Sequence, residues 1–183
     1  MDLEELIKGC IRQNSKAQEA LYHLYKNTLF VLSPKYCPNE AEAEDNLHNA
    51  FIEIFTNIKK FDRKGSFEGW IKRITINKAI DSYKKKYNLV PIKEDLTEDT
   101  DVEAHELDFS LDYILALIQE LPNQYRLVFS LYELDDYSHR EIAQLLSISE
   151  GTSKSNLHRA KMLLKDKITA NKTNGNYNIR HGK

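Results

Sequence analysis

Residues 138–165, SHREIAQLLSISEGTSKSNLHRAKMLLK, constrain the fold of this chain more than any other stretch. Ser138 is placed to cap a helix, and Glu141, three residues on, closes a capping box with it. Ile142, Ala143, Leu145 and Leu146 give that helix an apolar side, and Ala143 is small enough to admit a second helix at close range. Ser147, Ile148 and Ser149 make the turn, with Ser149 as cap of the next helix. At about 100° per residue, Leu157, Ala160, Leu164 and Ile168 share one side of this second helix. Lys154, Ser155, His158, Arg159, Met162 and Lys165 share the other. The pattern predicts a helix-turn-helix whose second helix covers residues 150–167, with an inner face that packs and an outer face free to meet base edges and phosphates.

A short helix, a turn and a longer amphipathic helix also occur in proteins that bind no nucleic acid, where the charged face is simply solvated. Charge along the chain separates the two readings. The formal net charge of −2 argues against a polyanionic partner, but its distribution is uneven. Residues 38–58 hold five carboxylates and no Lys or Arg; residues 59–87 hold ten Lys/Arg against three acids. Residues 87–112 then hold nine acids against Lys93 alone, and residues 139–167 return to six basic against three acidic. Local field rather than total charge steers a polyanion, and here two basic blocks flank an acidic connector.

The apolar pattern is helical almost throughout and no strand-length alternation competes with it. A short helix is expected over residues 3–12. Asn14 or Ser15 then caps a long one to about Lys35, with Ala20, Leu21, Leu24, Tyr25, Thr28, Leu29 and Leu32 inward. Asn39 opens a helix to about Lys59 that buries Leu47, Ala50, Phe51, Ile54, Phe55 and Ile58, and Ser66 caps one to about Lys86. Leu111, Ile114, Leu115 and Ile118 mark a helix ended by Leu121-Pro122, and residues 124–134 mark the next. The expected fold class is all-α: two small helical domains (residues 1–87 and 108–170), the second with the helix-turn-helix. A flexible acidic linker (88–107) joins them and a disordered tail (171–183) follows.

No run approaches 18 apolar residues, so membrane insertion is not expected, and the acidic start MDLEELIKGC argues against a signal peptide. Cys10 and Cys37 fit neither a disulfide framework nor a metal spacing and read as buried thiols of a cytoplasmic protein. Asp99-x-Asp101 reads as solvated linker rather than a metal pair. No cofactor, metal or catalytic residue is expected: the six histidines are dispersed, and no phosphate loop or nucleophile motif is present.

Residues 67–86 combine aromatics with cations. Arg73, Asn77 and Lys84 fall on one stripe, and the preceding loop adds Lys59, Lys60, Phe61, Arg63 and Lys64. Cations that follow phosphates beside rings that stack on unpaired bases suit a single strand, and an amide such as Asn77 can bond the edge of an extruded base. Trp70 reads as core rather than as a stacking platform.

Residues 17–168 resemble a bacterial RNA polymerase sigma factor of the small, two-domain extracytoplasmic-function (ECF) group. Asp45-x-x-His48-x-x-Phe51, Phe61 and Phe67-x-x-Trp70-Ile71-x-x-Ile74-x-x-Asn77-x-x-x-Asp81 resemble that family's promoter-melting domain. Leu121-Pro122, Glu141-Ile142-Ala143, Gly151-Thr152 and Arg159-Ala160 resemble its promoter-binding helix-turn-helix domain. The resemblance implies that Asp45, His48, Asn49 and Phe51 dock on core RNA polymerase. Phe61, Arg63, Lys64, Arg73, Asn77 and Lys84 would capture the melted non-template strand of the −10 element. Lys154, Ser155, His158 and Arg159 would read the −35 duplex. Lys72, Lys78 and Lys85 are weaker candidates for phosphate contacts. An anti-sigma partner is expected from the family alone.

The chain departs from the pattern at several positions. His48-Asn49 stands where Gln-Glu is usual, Ser147 replaces a turn glycine, Ser153 a customary valine and Asn156 a common arginine. The last two predict looser packing of the second helix. The principal alternative is a stand-alone helix-turn-helix regulator that binds duplex operator DNA as a dimer, in which case residues 67–86 would have no role.

Overall fold

The computed structural model describes residues 2–86 and 110–173, which are helical, with no strand among them. The expected linker and residues 174–183 of the expected tail lie outside the described residues. The chain divides into two compact units, Met1–Val90 and Pro91–Lys183.

In the first unit, α1 (Leu3–Ile11) is opened by Asp2, which accepts from the Glu5 amide and completes a capping box. Asn14, rather than Ser15, caps α2 (Ser15–Leu32), accepting from the Ala17 amide at 3.1 Å. Pro34 converts the end of α2 into a 3-10 turn, Ser33–Lys35. Asn39 caps α3 (Glu40–Asn57), and a 3-10 turn, Ile58–Lys60, leads into the loop before α4 (Phe67–Lys86). Ser66 Oγ accepts from the Gly69 amide at 3.0 Å, as its capping role requires. Leu6, Ile7, Leu21, Leu29, Ile54, Ile58, Phe67 and Ile71 form the centre of one core.

A polar bridge crosses that core. Asn46 of α3 is 5% exposed, and its Nδ2 donates to Ser33 Oγ and to the Thr75 carbonyl, both at 3.2 Å, so one amide ties α3 to the end of α2 and the middle of α4. Leu24 departs from expectation: it is 55% exposed. Ala17, Leu21 and Leu29 fill the inner side of α2 without it.

In the second unit, α5 (Leu111–Gln119), capped by Ser110, stops before Leu121-Pro122. The next helix, α6 (Asn123–Phe129), continues as a π-helical turn, Ser130–Leu134. Then come α7 (His139–Leu146) and α8 (Glu150–Thr173), the latter running past Lys167 into the segment expected to be frayed. The predicted Ser138–Glu141 capping box is formed. Ser147 holds the left-handed conformation, φ 57°, that a glycine adopts without steric cost, so the turn forms despite the substitution. Leu117, Ile118, Leu121, Ala160 and Leu164 pack α5 against α8, and Ile142 and Leu146 bury the inner side of α7.

Among the described residues no helix is long and apolar enough to cross a membrane, and no cluster of His, Cys, Asp or Glu could hold a metal ion. Both cysteines are buried thiols, and burial pushes the Cys10 thiol up from its ordinary value.

Candidate nucleic-acid and polymerase interfaces

The loop before α4 is seated by aromatic packing. Phe61 meets Phe67 edge-on at 5.2 Å and lies 5.6 Å from Trp70; Phe67 in turn contacts Tyr25 at 5.7 Å. Phe61 and Trp70 are only partly buried, so each holds the loop and keeps some surface in water. Arg63 is exposed, adopts a left-handed backbone (φ 61°) and is paired with Glu4 of α1 at 2.7 Å. Lys64 stands largely in solvent, 3.5 Å from Asp62.

On α4, Arg73 is exposed while Asn77 and Lys84 are half-buried. Asn77 Oδ1 is buried with no hydrogen-bond partner among the described residues, as is Asn46 Oδ1. The weaker candidates sort themselves by pairing. Lys72 is bound to Glu68 at 2.6 Å, and Lys78 to Glu53 of α3 at 2.9 Å. Lys86 is likewise bound to Glu42 of α3 at 2.6 Å, while Lys85 is exposed. Much of the basic block is thus neutralised internally, while Lys59, Lys60, Arg73 and Lys85 stand exposed outside these pairs.

Asp45, His48 and Asn49 stand exposed on one face of α3. Phe51, expected beside them, is 4% exposed and lies 4.7 Å from the Tyr22 ring, so it anchors α3 to the core and is not part of the outward face. Its neighbour Ile52, 64% exposed, takes that place. The spacing 45, 48, 49, 52 is one helical face, and that was the signal for Ile52. Asp45 and Asn49 also line, with Ser82 and Lys85 of α4, a polar cleft of about 360 Å³.

The outward face of α8 follows the sequence reading. Lys154, Met162 and Lys165 are exposed, and Ser155, His158 and Arg159 are half-buried. Arg159 Nη1 lies 3.5 Å from the Tyr125 hydroxyl, which props the guanidinium against α6. Ser155 Oγ donates back to the Thr152 carbonyl at 3.1 Å. Lys161 and Lys167 are paired with Glu133 and Glu120, so they are spent inside the unit.

The two departures expected to loosen α8 are both interior. Ser153 is fully buried, its Oγ sharing a 2.9 Å hydrogen bond with His139 Nδ1, and Asn156 is 1% exposed. His139 was not among the residues singled out from sequence. Burial holds its imidazole below the ordinary value; the Lys154 charge adds to this, as does Lys161, and Glu150 and Glu133 oppose it.

Known proteins match both units. Residues 21–88 match the Sigma-70 region 2 family and residues 111–164 match the family Sigma-70, region 4. The ECF RNA polymerase sigma factor SigW of Bacillus subtilis is 31% identical over 188 residues, covering 91% of this chain and 98% of SigW. SigM, an ECF RNA polymerase sigma factor of the same organism, is 26% identical and covers 80% of this chain and 92% of its own length. The solved sigma factor RpoE of Bartonella quintana, in complex with the anti-sigma factor NepR, shares the fold. Its TM-score is 0.52 at 17% identity, over 82% of this chain and 96% of that one. Two sigma regions in order, and a relative matched over nearly its whole length, place this chain in the family of ECF RNA polymerase sigma factors.

Proposed function

We propose that this sigma factor divides promoter recognition between its two units. The exposed face of α3, with Asp45, His48 and Asn49, docks on core RNA polymerase; that face carries no Lys or Arg and suits protein rather than phosphate. Phe61, Arg63 and Lys64 of the loop and Arg73, Asn77 and Lys84 of α4 capture the unwound non-template strand of the −10 element. Lys154, Ser155, His158 and Arg159 of α8 enter the major groove of the −35 element.

The observation that carries this reading is that α4 sets the half-buried amide Asn77 one turn from the exposed cation Arg73. A duplex-binding regulator has no use for such a pair, whereas a displaced base offers an amino or imino donor and its phosphate offers a charge for Arg73. Binding to polymerase turns two weak contacts into one, because the second promoter element is then met intramolecularly. The chain performs no covalent chemistry and needs no cofactor; nucleotide addition belongs to the polymerase, which also sets a cytoplasmic site of action. An anti-sigma protein that covers part of this surface completes the proposal, by analogy with the solved RpoE–NepR complex.

The test is association with core polymerase at low salt, followed by transcription in vitro on genomic fragments with mapped start sites. Start sites that share two spaced elements only when the chain is present support the reading. Failure to associate with core, with tight binding to isolated duplex DNA, would overturn it in favour of a stand-alone regulator.

A further inference from the structure

The π-helical turn Ser130–Leu134 aims two side chains at the helix-turn-helix, and such turns are rare enough to ask what they do. The Tyr132 ring stacks on His139, the first residue of α7, at 4.4 Å and 20° between planes. Glu133 pairs with Lys161 of α8 at 2.8 Å. His139 then passes the contact on, through Nδ1, to the fully buried hydroxyl of Ser153 on α8.

The inner side of α8 changes character along its length. Its first two turns turn inward Thr152, Ser153 and Asn156; its apolar packing comes from Leu157, Ala160 and Leu164. The end of α8 that bears Lys154 and Ser155 is therefore held by a directional polar contact, while the far end is held by apolar area. A hydrogen bond fails outside a narrow range of distance and angle, whereas apolar surfaces tolerate sliding.

We propose that His139 is a positioning residue for promoter reading. Its bond to Ser153, with the ring set by Tyr132, fixes how the first turns of α8 lie in the groove and so which base edges Lys154 and Ser155 reach. This rests on the assignment of α8 to the −35 duplex. Lys154 directly follows Ser153, so any re-aiming of that turn passes straight to the contact residue.

A positioning role differs measurably from a contribution to folding. Loss of folded protein scales initiation at every promoter by one factor, whereas a re-aimed helix changes the ratio between promoters. The experiment is transcription by holoenzyme, core polymerase plus the full chain, from a promoter library randomised across the −35 element. His139→Ala and Ser153→Ala are expected to shift the relative use of −35 base variants by about threefold or more, within what one good base contact can discriminate. His139→Asn, whose amide can stand in for Nδ1, is expected to restore the wild-type preferences, and His139→Phe, which keeps only the stack, is not. Unaltered preferences in both alanine variants, whatever happens to total activity, overturn the proposal, as does a wild-type pattern from His139→Phe. A wild-type chain with no −35 preference overturns the reading of α8 and this inference with it.

Discussion

The Arg63 guanidinium lies 2.7 Å from the Glu4 carboxylate, although the two residues stand 59 positions apart and both side chains are about half exposed. The Asp2–Glu5 capping box fixes the first turn of α1 and with it the placement of Glu4. A carboxylate on an arginine proposed to meet a phosphate is a competitor for the same donors.

Such an exposed pair is worth only ~0–1 kcal/mol, which makes it displaceable. Glu4→Gln should therefore strengthen binding of a −10 non-template oligonucleotide to holoenzyme, up to about fivefold at low ionic strength. The gain should fade as salt screens both states. Fluorescence anisotropy reads it, and in an Arg63→Ala background the same substitution should do nothing. Weaker binding by Glu4→Gln would mean that Glu4 holds Arg63 ready rather than masks it.

The placement of α1 depends on one close approach. A Cβ added to Gly9 would lie 2.5 Å from the Ala17 Cβ, at a contact between α1 and α2. Gly9→Ala should force the two helices apart and cost ~1–3 kcal/mol, read as a lower thermal midpoint of the full chain. An unchanged midpoint would show that α1 yields without loss.

The local signals in this sequence were sufficient for the helices. Asn39, Ser66, Ser138 and Ser149 cap where their side-chain chemistry predicts, because capping is settled within four residues. Leu24 failed because periodicity gives a helix two faces and only tertiary packing decides which one is covered; Phe51 was placed inward by periodicity, as it is found, and outward only by the family resemblance. The neutralised lysines were illegible because Lys78–Glu53 and Lys86–Glu42 span different helices. The His139–Ser153 pair was equally hidden, since its two residues stand 14 positions apart on different helices.

Internal pairing separates Lys72, Lys78 and Lys86 of α4 from the arginine proposed to face DNA. Arg73→Ala should lower the slope of log affinity against log salt for a single-stranded −10 element by about 0.7, the loss of one phosphate contact. Lys78→Ala should leave that slope unchanged, because its charge is already bound to Glu53. Equal slope changes in the two variants would put Lys78 on the strand.

Glu53 also predicts an acid dependence. The hydrogen bond from Lys78 holds its carboxyl below the ordinary 4.5, aided by the charges of Lys78 and Lys60 and a bond from Asn57, against burial. A depressed carboxylate stabilises the fold above its unfolded value, and that share is lost as pH falls through the lower folded value. Lys78→Met should therefore flatten the acid limb of thermal stability below about pH 4.5 and leave its shape near neutrality unchanged. A parallel limb in the variant would show that the pair contributes nothing.

Asn156 offers the opposite kind of change. It is 1% exposed, and its Nδ2 has no hydrogen-bond partner among the described residues. Leucine has the same branching at Cγ and no polar atoms to leave unmet. Removing an unsatisfied buried donor recovers part of a penalty of ~1–3 kcal/mol, so Asn156→Leu should stabilise the second unit by about 1 kcal/mol. In a unit of this size that corresponds to a rise of about 4–8 °C in its thermal midpoint. The added volume works against the gain, since two methyl groups replace two smaller polar atoms in a close-packed seam. Asn156→Ala separates the two effects: it removes the same donor without the bulk and leaves a cavity instead. If both variants unfold at lower temperature than wild type, the prediction fails: the unmet donor then costs less than the bulk or the cavity that replaces it.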